Sequence, residues 1–452
     1  ASFTHLTSRF PIFVKYLPTI NYYMKNLVLA GLLLAGTLYV GSSNGQTGNA
    51  HPIRCNTTDY MNAKMAADPA YARQFEMDEQ TLQRAIANLA NNRSSSSNSI
   101  VTIPCVVHVV YRTVGQNISD AQVESQIDVL NEDFARLNAD TNVTPAPFRA
   151  AASGSQFRFC LAQTDPNGNP TTGIERRQTT VNTFSTNDLV KAYSTGGMDA
   201  WDTDVYFNIW VCSLGGGILG YAEFPAASHT DTYGVVITYS AFGRVGLVAA
   251  PYDQGRTCTH EVGHAFRLNH IWGDDGGSCG GTDYVADTPN QAGETYGCRT
   301  FPHTDACTPS GNGVMFMNYM DYSDDDCLNM FTTGQVTRMT TAMNTFYSSL
   351  LVSTRCESAN SIQDGPENFS FSVYPNPTNG VINLDMFLTR PIGDQAVVRV
   401  VDALGKIVYT QVLNQPSGQV HSLDLSSLPN GIYLMNVGNA EFSKTVRVSV
   451  SR

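Results

Sequence analysis

The stretch Arg256–Asp274, RTCTHEVGHAFRLNHIWGD, carries the most informative residue spacing in the sequence. It contains His260 and His264, four positions apart, and His270 six positions further on. On a helix, residues i and i+4 project from the same face, so the first two imidazoles can bind one metal ion. A chain that leaves the helix and turns back can bring His270 to the same ion. Three histidines with water in an open fourth position are typical of catalytic zinc sites.

Glu261, next to the first histidine, completes this pattern. Zinc acidifies a bound water, and a carboxylate that is not itself a ligand can take the proton from it. With nine histidines in the chain, an accidental His-Glu-x-x-His is expected in roughly one such sequence in a hundred. The spacing therefore indicates metal-assisted hydrolysis. A structural zinc site or a hydrogen-bonded core pair of histidines is the alternative.

The composition of the 452-residue chain narrows the possible functions. A hydrophobic content of 42% is ordinary for two or three globular domains, which argues against a wholly disordered or fibrous protein. The formal net charge of -12 argues against a nucleic-acid or anionic-membrane binder. Ten cysteines suggest disulfide bonds, provided that the chain leaves the cytosol.

The segment that begins at Met24 predicts this export. It reads MKNLVLAGLLLAGTLYVGSSNGQ: a basic start, an apolar run over Leu27–Val40, then small residues. That run of about 14 residues is short for a transmembrane helix, which needs about 20. We therefore expect residues 1–45 to be an N-terminal extension and a signal peptide, and the mature protein to have no transmembrane anchor. Residues 1–23 are given no function.

The central part of the chain alternates between strand and helix patterns. The β-branched run IVTIPCVVHVVY (Ile100–Tyr111) predicts a buried strand. Ser119 with Gln122 three residues later predicts a capping box, and apolar side chains then recur at helical spacing. Further strands are predicted over Gln156–Ala162, Val205–Leu214, Gly220–Phe224 and Gly234–Ser240. This alternation is typical of an α/β domain.

The segments before and after this central part have different sequence patterns. Before it, Asp78–Arg93 is polar and helix-prone, and Ser94–Ser97 is a low-complexity linker. From Phe369 onward, short alternating strands are separated by turn signals such as YPNPTNG, DALGK and LPNG. This last pattern predicts an all-β module of about 85 residues, most simply a sandwich.

Downstream of the histidines, Met317–Gln335 reads MNYMDYSDDDCLNMFTTGQ, and Val285–Pro289 reads VADTP. Together with the three-histidine stretch, these segments resemble the metzincin metallopeptidases and, more closely, the pappalysin or cytophagalysin family. The resemblance covers about residues 50–350. It implies an α/β (α+β) zinc protease domain with a twisted mixed sheet and an active-site helix.

The resemblance also implies a role for each residue of the site. The implied zinc ligands are His260, His264 and His270, the general base and acid is Glu261, the turn methionine is Met320, and the residue that stabilises the tetrahedral intermediate is Tyr322. For the tyrosine, aromatic packing beneath the site is the alternative. The strand around Gly220–Ala222 is expected to be the edge on which an extended substrate pairs.

One position departs from the metzincin motif. Arg267 stands where the family has Gly, and that Gly allows the left-handed turn that delivers the third histidine. A non-Gly residue with positive φ costs about 1 kcal/mol or more. We expect strain at Arg267, or help in the turn from Asn269, without loss of zinc binding.

Members of this family also bind calcium between the third histidine and the methionine turn. Asp287 and Glu294 are the candidate ligands here, because hard oxygen donors in a loop suit Ca²⁺. A solvated acidic loop is the alternative. The resemblance further implies two disulfide bonds in this region, Cys279–Cys307 and Cys298–Cys327.

Latency is implied by Cys55, which lies in the region that corresponds to a propeptide. A thiolate can occupy the open position of a zinc site, as in the cysteine switch of pro-pappalysins. A structural disulfide is the alternative. If Cys55 is set aside, nine cysteines remain, so another thiol must stay free or pair with a different chain.

Specificity is implied by Asp326, which precedes Cys327. In the pappalysin pattern, the residue at this place lies at the floor of the S1′ pocket. A buried carboxylate is costly unless a cation meets it, so the pocket is expected to prefer Arg or Lys at P1′. Self-processing between Asn92 and Arg93 would fit this preference. A solvated or calcium-binding acidic turn is the alternative.

The C-terminal module resembles the sorting domain of the type IX secretion system. The supporting motifs lie at Val373–Leu384, Asp402–Tyr409, Leu428–Val437 and Lys444–Val448. A carbohydrate-binding or spacer sandwich is the alternative. The resemblance implies that this secretion machinery exports the protein to the cell surface or beyond and that the module is then removed.

These observations together predict a secreted zinc endopeptidase that acts on proteins or peptides. The expected segments are the propeptide and linker at 46–96, the catalytic domain at 97–352, a linker at 353–368 and the sorting domain at 369–452. A gluzincin, which takes a glutamate from a second helix as third ligand, is disfavoured by His270 and Met320. A noncatalytic binding protein with a structural zinc is disfavoured by Glu261, for which such a site has no use.

Overall fold

The computed structural model describes residues 52–91, 100–357, 369–388, 395–402, 406–414, 420–438 and 443–452. The predicted signal peptide, the Ser94–Ser97 linker and the Asn92–Arg93 bond lie outside the described residues. So does most of the predicted linker at 353–368. No helix of the described part is long and apolar enough to cross a membrane.

The region before the C-terminal module combines helices with short and long strands. The helices are α1 (Thr57–Ala67), α2 (Pro69–Asn91), α3 (Asp120–Phe134), α4 (Arg256–Ala265) and α5 (Thr333–Phe346). The strands are β1 (Val101–Tyr111), β2 (Ala152–Ser153), β3 (Phe157–Leu161), β4 (Ile174–Gln178), β5 (Phe207–Cys212), β6 (Gly220–Ala222), β7 (Val235–Thr238) and β8 (Phe331–Thr332).

The main sheet has the order β3-β1-β5-β7-β6, and β4 also pairs with β1. Its strands run parallel except for β6, which is antiparallel to β7 and forms one edge. Helices α3 and α4 pack on one another and on strands of this sheet. Strand β1 is buried along most of its length, as expected for a parallel strand that is covered on both faces. The predicted α/β class with a mixed sheet is confirmed.

Strand β4 and helix α1 have weak sequence signals and are among the elements that were not predicted. Strand β4 reads IERRQ and is partly exposed, so it lacks the apolar run of its neighbours. Helix α1 has no amphipathic pattern, although Tyr60 and Met61 are buried in an apolar cluster with Trp210 and Tyr221. Both elements depend on tertiary contacts rather than on their own periodicity.

The C-terminal module is all-β, as predicted. Its strands are β9 (Phe369–Tyr374), β10 (Val381–Leu388), β11 (Gln395–Val401), β12 (Ile407–Asn414), β13 (Val420–Asp424), β14 (Gly431–Gly438) and β15 (Ser443–Val450). They form two antiparallel sheets, β13-β10-β9 and β12-β11-β14-β15. Side chains of both sheets, including Leu384, Val398 and Met435, share one buried apolar cluster. This arrangement is a β-sandwich.

Candidate functional site

Helix α4 presents His260 and His264 one turn apart, and both side chains are buried. The chain then turns at Arg267, whose φ of 76° is left-handed, and His270 comes back beside the other two. The Nε2 atoms are 3.1 Å apart for His260 and His264, 3.0 Å for His264 and His270, and 3.3 Å for His260 and His270. The helix and the turn after it therefore bring three imidazoles to one point.

This triangle fits one zinc ion. Tetrahedral zinc with Zn–N distances of about 2.0–2.1 Å holds its ligand nitrogens about 3.3 Å apart. Each Nδ1 has an oxygen acceptor: Tyr319 O for His260 (2.7 Å), Leu268 O for His264 (2.7 Å) and Asp274 Oδ1 for His270 (2.9 Å). These bonds assign the proton to Nδ1 and leave each Nε2 lone pair free for a metal. Burial and the neighbouring histidines lower the pKa of His260 and His264, which also favours the neutral form.

Asp274 is a residue of the site that sequence reasoning missed. Its carboxylate orients His270 and also accepts a hydrogen bond from Thr58 Oγ1 at 3.1 Å. The available signal was a carboxylate four residues after the third histidine. Such carboxylate–histidine pairs fix the ring and raise its basicity as a ligand.

Glu261 follows His260 on α4, and its carboxylate is buried. Oε2 accepts hydrogen bonds from Thr57 Oγ1 at 2.8 Å and from Cys55 Sγ at 3.5 Å, while Oε1 has no partner among the described residues. Burial raises the pKa of Glu261 to about 8. A Cβ at Gly220 would lie 2.8 Å from Glu261 Cγ, so a glycine is needed where β6 passes the carboxylate.

A segment before α1 lies along β6 and the residues that lead into it. Its backbone hydrogen bonds are Ile53 N–H to Gly217 O (3.0 Å), Leu219 N–H to Ile53 O (2.9 Å) and Asn56 N–H to Gly220 O (3.0 Å). The bridge between Ile53 and Ile218 is parallel. Residues 53–56 thus cover the edge on which the sequence predicts substrate pairing.

Within this segment, Cys55 points at the histidines. Its Sγ and the three Nε2 atoms all lie within 4.8 Å of one another, and they form the single group of three or more potential metal ligands among the described residues. Thr57 N–H donates to Sγ at 3.3 Å. Burial and the charge of Glu261 raise the pKa of the thiol. The geometry thus offers four potential donors, three imidazoles and one thiol.

Met320 and Tyr322 lie beneath and beside the histidines. A Cβ at Gly263 of α4 would be 2.5 Å from Met320 Sδ, so the methionine packs directly on the helix that carries two of the imidazoles. Tyr322 Oη is 3.2 Å from His270 Nε2 and donates to Cys55 O at 3.1 Å. The phenol is therefore close enough to meet a group bound at the histidines.

The structure does not put Asp326 in a pocket. Asp326 is exposed, whereas Asp325 is buried and forms an ion pair with Arg54 at 3.0 Å. Asp325 also accepts hydrogen bonds from the backbone N–H groups of Gln254 (3.0 Å) and Arg256 (3.1 Å). The reason is a short 3₁₀ turn over Asp325–Cys327, which directs the first carboxylate inward and the second outward.

The two calcium candidates have different surroundings. Asp287 accepts hydrogen bonds from Thr332 Oγ1 at 2.6 Å and from Gly334 N–H at 2.9 Å, which places it at the beginning of α5. Glu294 is exposed. Neither belongs to a group of three or more His, Cys, Asp or Glu ligands in the described part of the chain. Their role as Ca²⁺ ligands, which can be completed by backbone carbonyl oxygens, stays a prediction.

The structure contains the disulfide bonds Cys279–Cys307 and Cys298–Cys327, which the resemblance implied. A third bond, Cys160–Cys356, was not predicted. The other four cysteines, Cys55, Cys105, Cys212 and Cys258, are buried thiols. Once Cys55 is set aside, the nine remaining cysteines are therefore three disulfide bonds and three buried free thiols.

Comparisons with known proteins agree with this geometry. The peptidase family described as pregnancy-associated plasma protein-A matches residues 193–344. An extracellular metalloprotease of Arthroderma otae is 31% identical over 272 residues, which are 59% of this chain and 87% of the relative. A similar enzyme of Pyricularia oryzae is 34% identical over 261 residues, or 57% and 80% of the two chains.

Solved structures give the same result. A mutant of promirolysin from Tannerella forsythia is 48% identical, covers 68% of this chain with 99% of its own and has a TM-score of 0.62. Mature mirolysin in complex with a cleaved peptide is 54% identical, covers 58% of this chain with 99% of its own and has a TM-score of 0.57.

The C-terminal sandwich has its own match. The family of secretion system C-terminal sorting domains matches residues 372–451, almost the whole of the module. The region before this module matches the metalloproteases above over most of their length. The chain therefore belongs to the pappalysin (pregnancy-associated plasma protein-A) family of metallopeptidases, as a secreted metalloendopeptidase with a C-terminal sorting domain.

Proposed function

We propose that this enzyme cleaves peptide bonds with Glu261 as general base and acid and with Tyr322 as the donor to the oxyanion. The observation that carries the proposal is the convergence of three Nε2 atoms, within 3.0–3.3 Å, beside a buried carboxylate. Zinc held by His260, His264 and His270 would supply an acidified water and polarise the scissile carbonyl. Three imidazoles and a free coordination position are the donor set of a catalytic zinc site.

The role of Glu261 follows from its surroundings. A carboxylate in a dry site holds a proton more readily than one in water, so Glu261 can take a proton from the attacking water and pass it to the leaving amine. Its Oε2 now contacts Thr57 and Cys55. Both contacts come from the segment that covers β6, and they would be lost when that segment leaves.

Tyr322 is suited to stabilise the negative charge that develops on the substrate carbonyl. Its phenol lies 3.2 Å from His270 Nε2 and donates to the carbonyl oxygen of Cys55. We propose that the Cys55 carbonyl occupies the place of a substrate carbonyl. A donor that already points there costs little reorganisation in the reaction.

We further propose that residues 46–96 form a propeptide and linker and that residues 97–352 form the catalytic domain. Cys55 would ligate zinc in the zymogen, which fills the position that water needs. The parallel pairing of Ile53 with Ile218 supports a blocking role. Promirolysin covers 68% of this chain and mature mirolysin covers 58%, a difference that fits removal of a segment of this size.

For substrate choice, we propose that Asp325 rather than Asp326 recognises Arg or Lys at P1′. Arg54 pairs with Asp325 in a fully buried contact. We interpret this guanidinium as the stand-in for a substrate side chain. An unpaired buried carboxylate is costly, so a cationic P1′ side chain is favoured over an apolar one.

A structural calcium ion stays a prediction for the loop between His270 and Met320, with Asp287 and Glu294 as the candidate ligands. The contacts of Asp287 with Thr332 and Gly334 favour a second role for this residue at the start of α5. A gluzincin is not supported, because the third imidazole already completes the ligand set. A noncatalytic zinc protein leaves the buried Glu261 without a role.

The experiment that tests the proposal uses Glu261→Gln in the processed enzyme, with processing done by added wild-type enzyme. We expect hydrolysis of casein or gelatin to fall by about 10²–10⁴-fold, because the proton acceptor is lost, while zinc content by elemental analysis stays at one per chain. Glu124→Gln, on the exposed face of α3, is the matched control and should remain active. Activity within tenfold of wild type for Glu261→Gln would contradict the mechanism.

A further inference from the structure

Helix α2, in the proposed propeptide, contributes one carboxylate that binds two arginines. Arg338 of α5 donates from Nη1 to Glu79 Oε1 and from Nη2 to Glu79 Oε2, both at 2.8 Å. Arg267 donates from Nε to Glu79 Oε2 at 3.3 Å. A two-pronged guanidinium contact of this kind is geometrically selective for a carboxylate.

The arginines are held by groups that do not belong to the propeptide. Arg267 Nη1 donates to Pro225 O, and Arg338 Nε donates to Arg267 O, each at 2.8 Å. The guanidinium of Arg267 lies 5.6 Å from the ring centre of Phe224, and that of Arg338 lies 5.2 Å from the ring centre of Tyr284. These contacts do not depend on Glu79.

The negative charge, by contrast, comes from the propeptide. Burial opposes ionisation of Glu79, yet the hydrogen bonds from Arg338 and Gln83 and the charges of Arg338 and Arg267 lower its pKa to about 2. Phe75, also on α2, stacks 4.2 Å from Arg267 and accepts a hydrogen bond from its Nη2 at 3.0 Å. When α2 leaves, both arginines lose this carboxylate, and Arg267 also loses its contacts with Phe75.

Asp283, an acidic residue outside α2, does not replace Glu79. Burial raises the pKa of Asp283 to about 6, although the charge of Arg338 acts in the opposite direction. Its carboxylate already accepts hydrogen bonds from Val285 N–H at 3.0 Å and Thr288 Oγ1 at 2.8 Å. Glu79 is thus the carboxylate that directly binds the pair among the described residues.

The arginine pair lies next to the proposed substrate edge. Arg267 contacts Pro225, three residues beyond the end of β6. Arg54 and Asp325 mark the opposite end, because Arg54 follows Ile53, which pairs with Ile218. If Asp325 receives the P1′ side chain, residues that precede the scissile bond lie toward Pro225.

We propose that Arg267 and Arg338 bind an acidic side chain of the substrate that precedes the scissile bond, at the place that Glu79 fills in the zymogen. This inference rests on the proposed function, since it requires removal of the propeptide and substrate pairing along β6. The ligand is a carboxylate, because the two guanidinium groups already hold one in that geometry. The arginines act in specificity, not in bond cleavage.

The test compares matched peptides that have Arg at P1′ and differ only in Glu or Gln at one position from P2 to P6. The enzyme is the processed protein, separated from its cleaved propeptide. We expect Glu at one position to raise kcat/KM at least about fivefold over Gln, mainly through KM, as for one charge-assisted contact. In Arg338→Gln and Arg267→Gly, this ratio should fall to about one. Arg267→Gly is chosen because glycine tolerates the positive φ.

Arg244→Gln is the matched control, because Arg244 pairs with Glu132 on α3, and it should keep the wild-type ratio. A wild-type ratio near one at every position would overturn the proposal, as would a preference that survives both arginine variants. Binding of the same peptides to processed Glu261→Gln separates the two hypotheses, because it needs no hydrolysis. Preferential binding of the Glu peptide there supports the arginine site even if the catalytic assignment fails, and equal binding rejects it.

Discussion

Asp325 and Asp326 are consecutive residues in an acidic run, yet the first carboxylate is buried and the second is exposed. The sequence shows three aspartates before Cys327, but the phase of a short turn depends on tertiary contacts. The buried side chain of Arg54, 271 positions away, selects Asp325. No local periodicity distinguishes the two aspartates, so the sequence predicts Asp326 for the S1′ pocket, whereas burial and the ion pair with Arg54 favour Asp325.

At this residue, we predict that Asp325→Asn lowers kcat/KM for Arg- and Lys-P1′ peptides at least about tenfold, since one charge-assisted contact is lost. Cleavage of Leu-P1′ peptides should change less, so the ratio between the two substrates is the measurement. The amide keeps the size of the side chain. Asp326→Asn is the matched control and should leave the ratio unchanged. The opposite pattern would restore the choice made from the sequence.

Arg267 is a residue for which sequence and structure agree in detail. Its place in the motif predicts a left-handed turn, and φ is 76°. The strain is offset by contacts that glycine cannot make, with Pro225 O and with Glu79. The three imidazoles were predictable because their spacing brings them together, and the spacing of Asp274 from His270 offered a weaker signal, whereas Thr57 and Arg54 had none.

Among the elements, the segment before α1 was predicted to block the site because it contains Cys55. Its path along residues 217–220 was not predicted. Strand pairing with residues 217–220 leaves no mark in the sequence of residues 53–56, because four residues are too few for a periodic pattern. Helix α1 has the same property, since its buried face is formed by Thr57, Tyr60 and Met61. Both elements take their position from the surface that they cover.

We predict that Cys55→Ala makes the unprocessed protein active. Without the thiol, water can reach the zinc position, so hydrolysis of a short peptide should rise at least about tenfold over the unmutated zymogen before any propeptide is cleaved. Gel analysis of the same sample verifies that the chain is intact. Cys212→Ala, which removes another buried thiol, should remain latent. Equal inactivity of both variants would reject the switch.

Helix α5 begins at a carboxylate that the sequence assigned to calcium. We predict that Asp287→Ala costs about 1–2 kcal/mol of unfolding free energy, because Thr332 and the N–H of Gly334 lose their acceptor at the helix start. Urea unfolding of calcium-depleted and calcium-loaded protein measures this. The loss should be the same in both conditions. A loss confined to the calcium-loaded protein would make Asp287 a calcium ligand.

For the whole molecule, the fold class and the order of the domains along the chain could be predicted from the sequence. Long apolar runs predicted β1, β5 and β7, and turn signals predicted the C-terminal sandwich, since these patterns reflect burial directly. Contacts between distant parts could not be read. Glu79 with Arg338, and Cys160 with Cys356, join residues that no local pattern relates.

The Cys160–Cys356 bond ties the end of the catalytic region to β3. The backbone adds a second tie, because Gln163 N–H donates to Arg355 O at 2.8 Å. The chain that follows Cys356 is therefore anchored to the β3 region twice, once by a covalent bond and once by a hydrogen bond. A pull on the C-terminal module would reach β3 through Cys356 as well as α5 through the backbone.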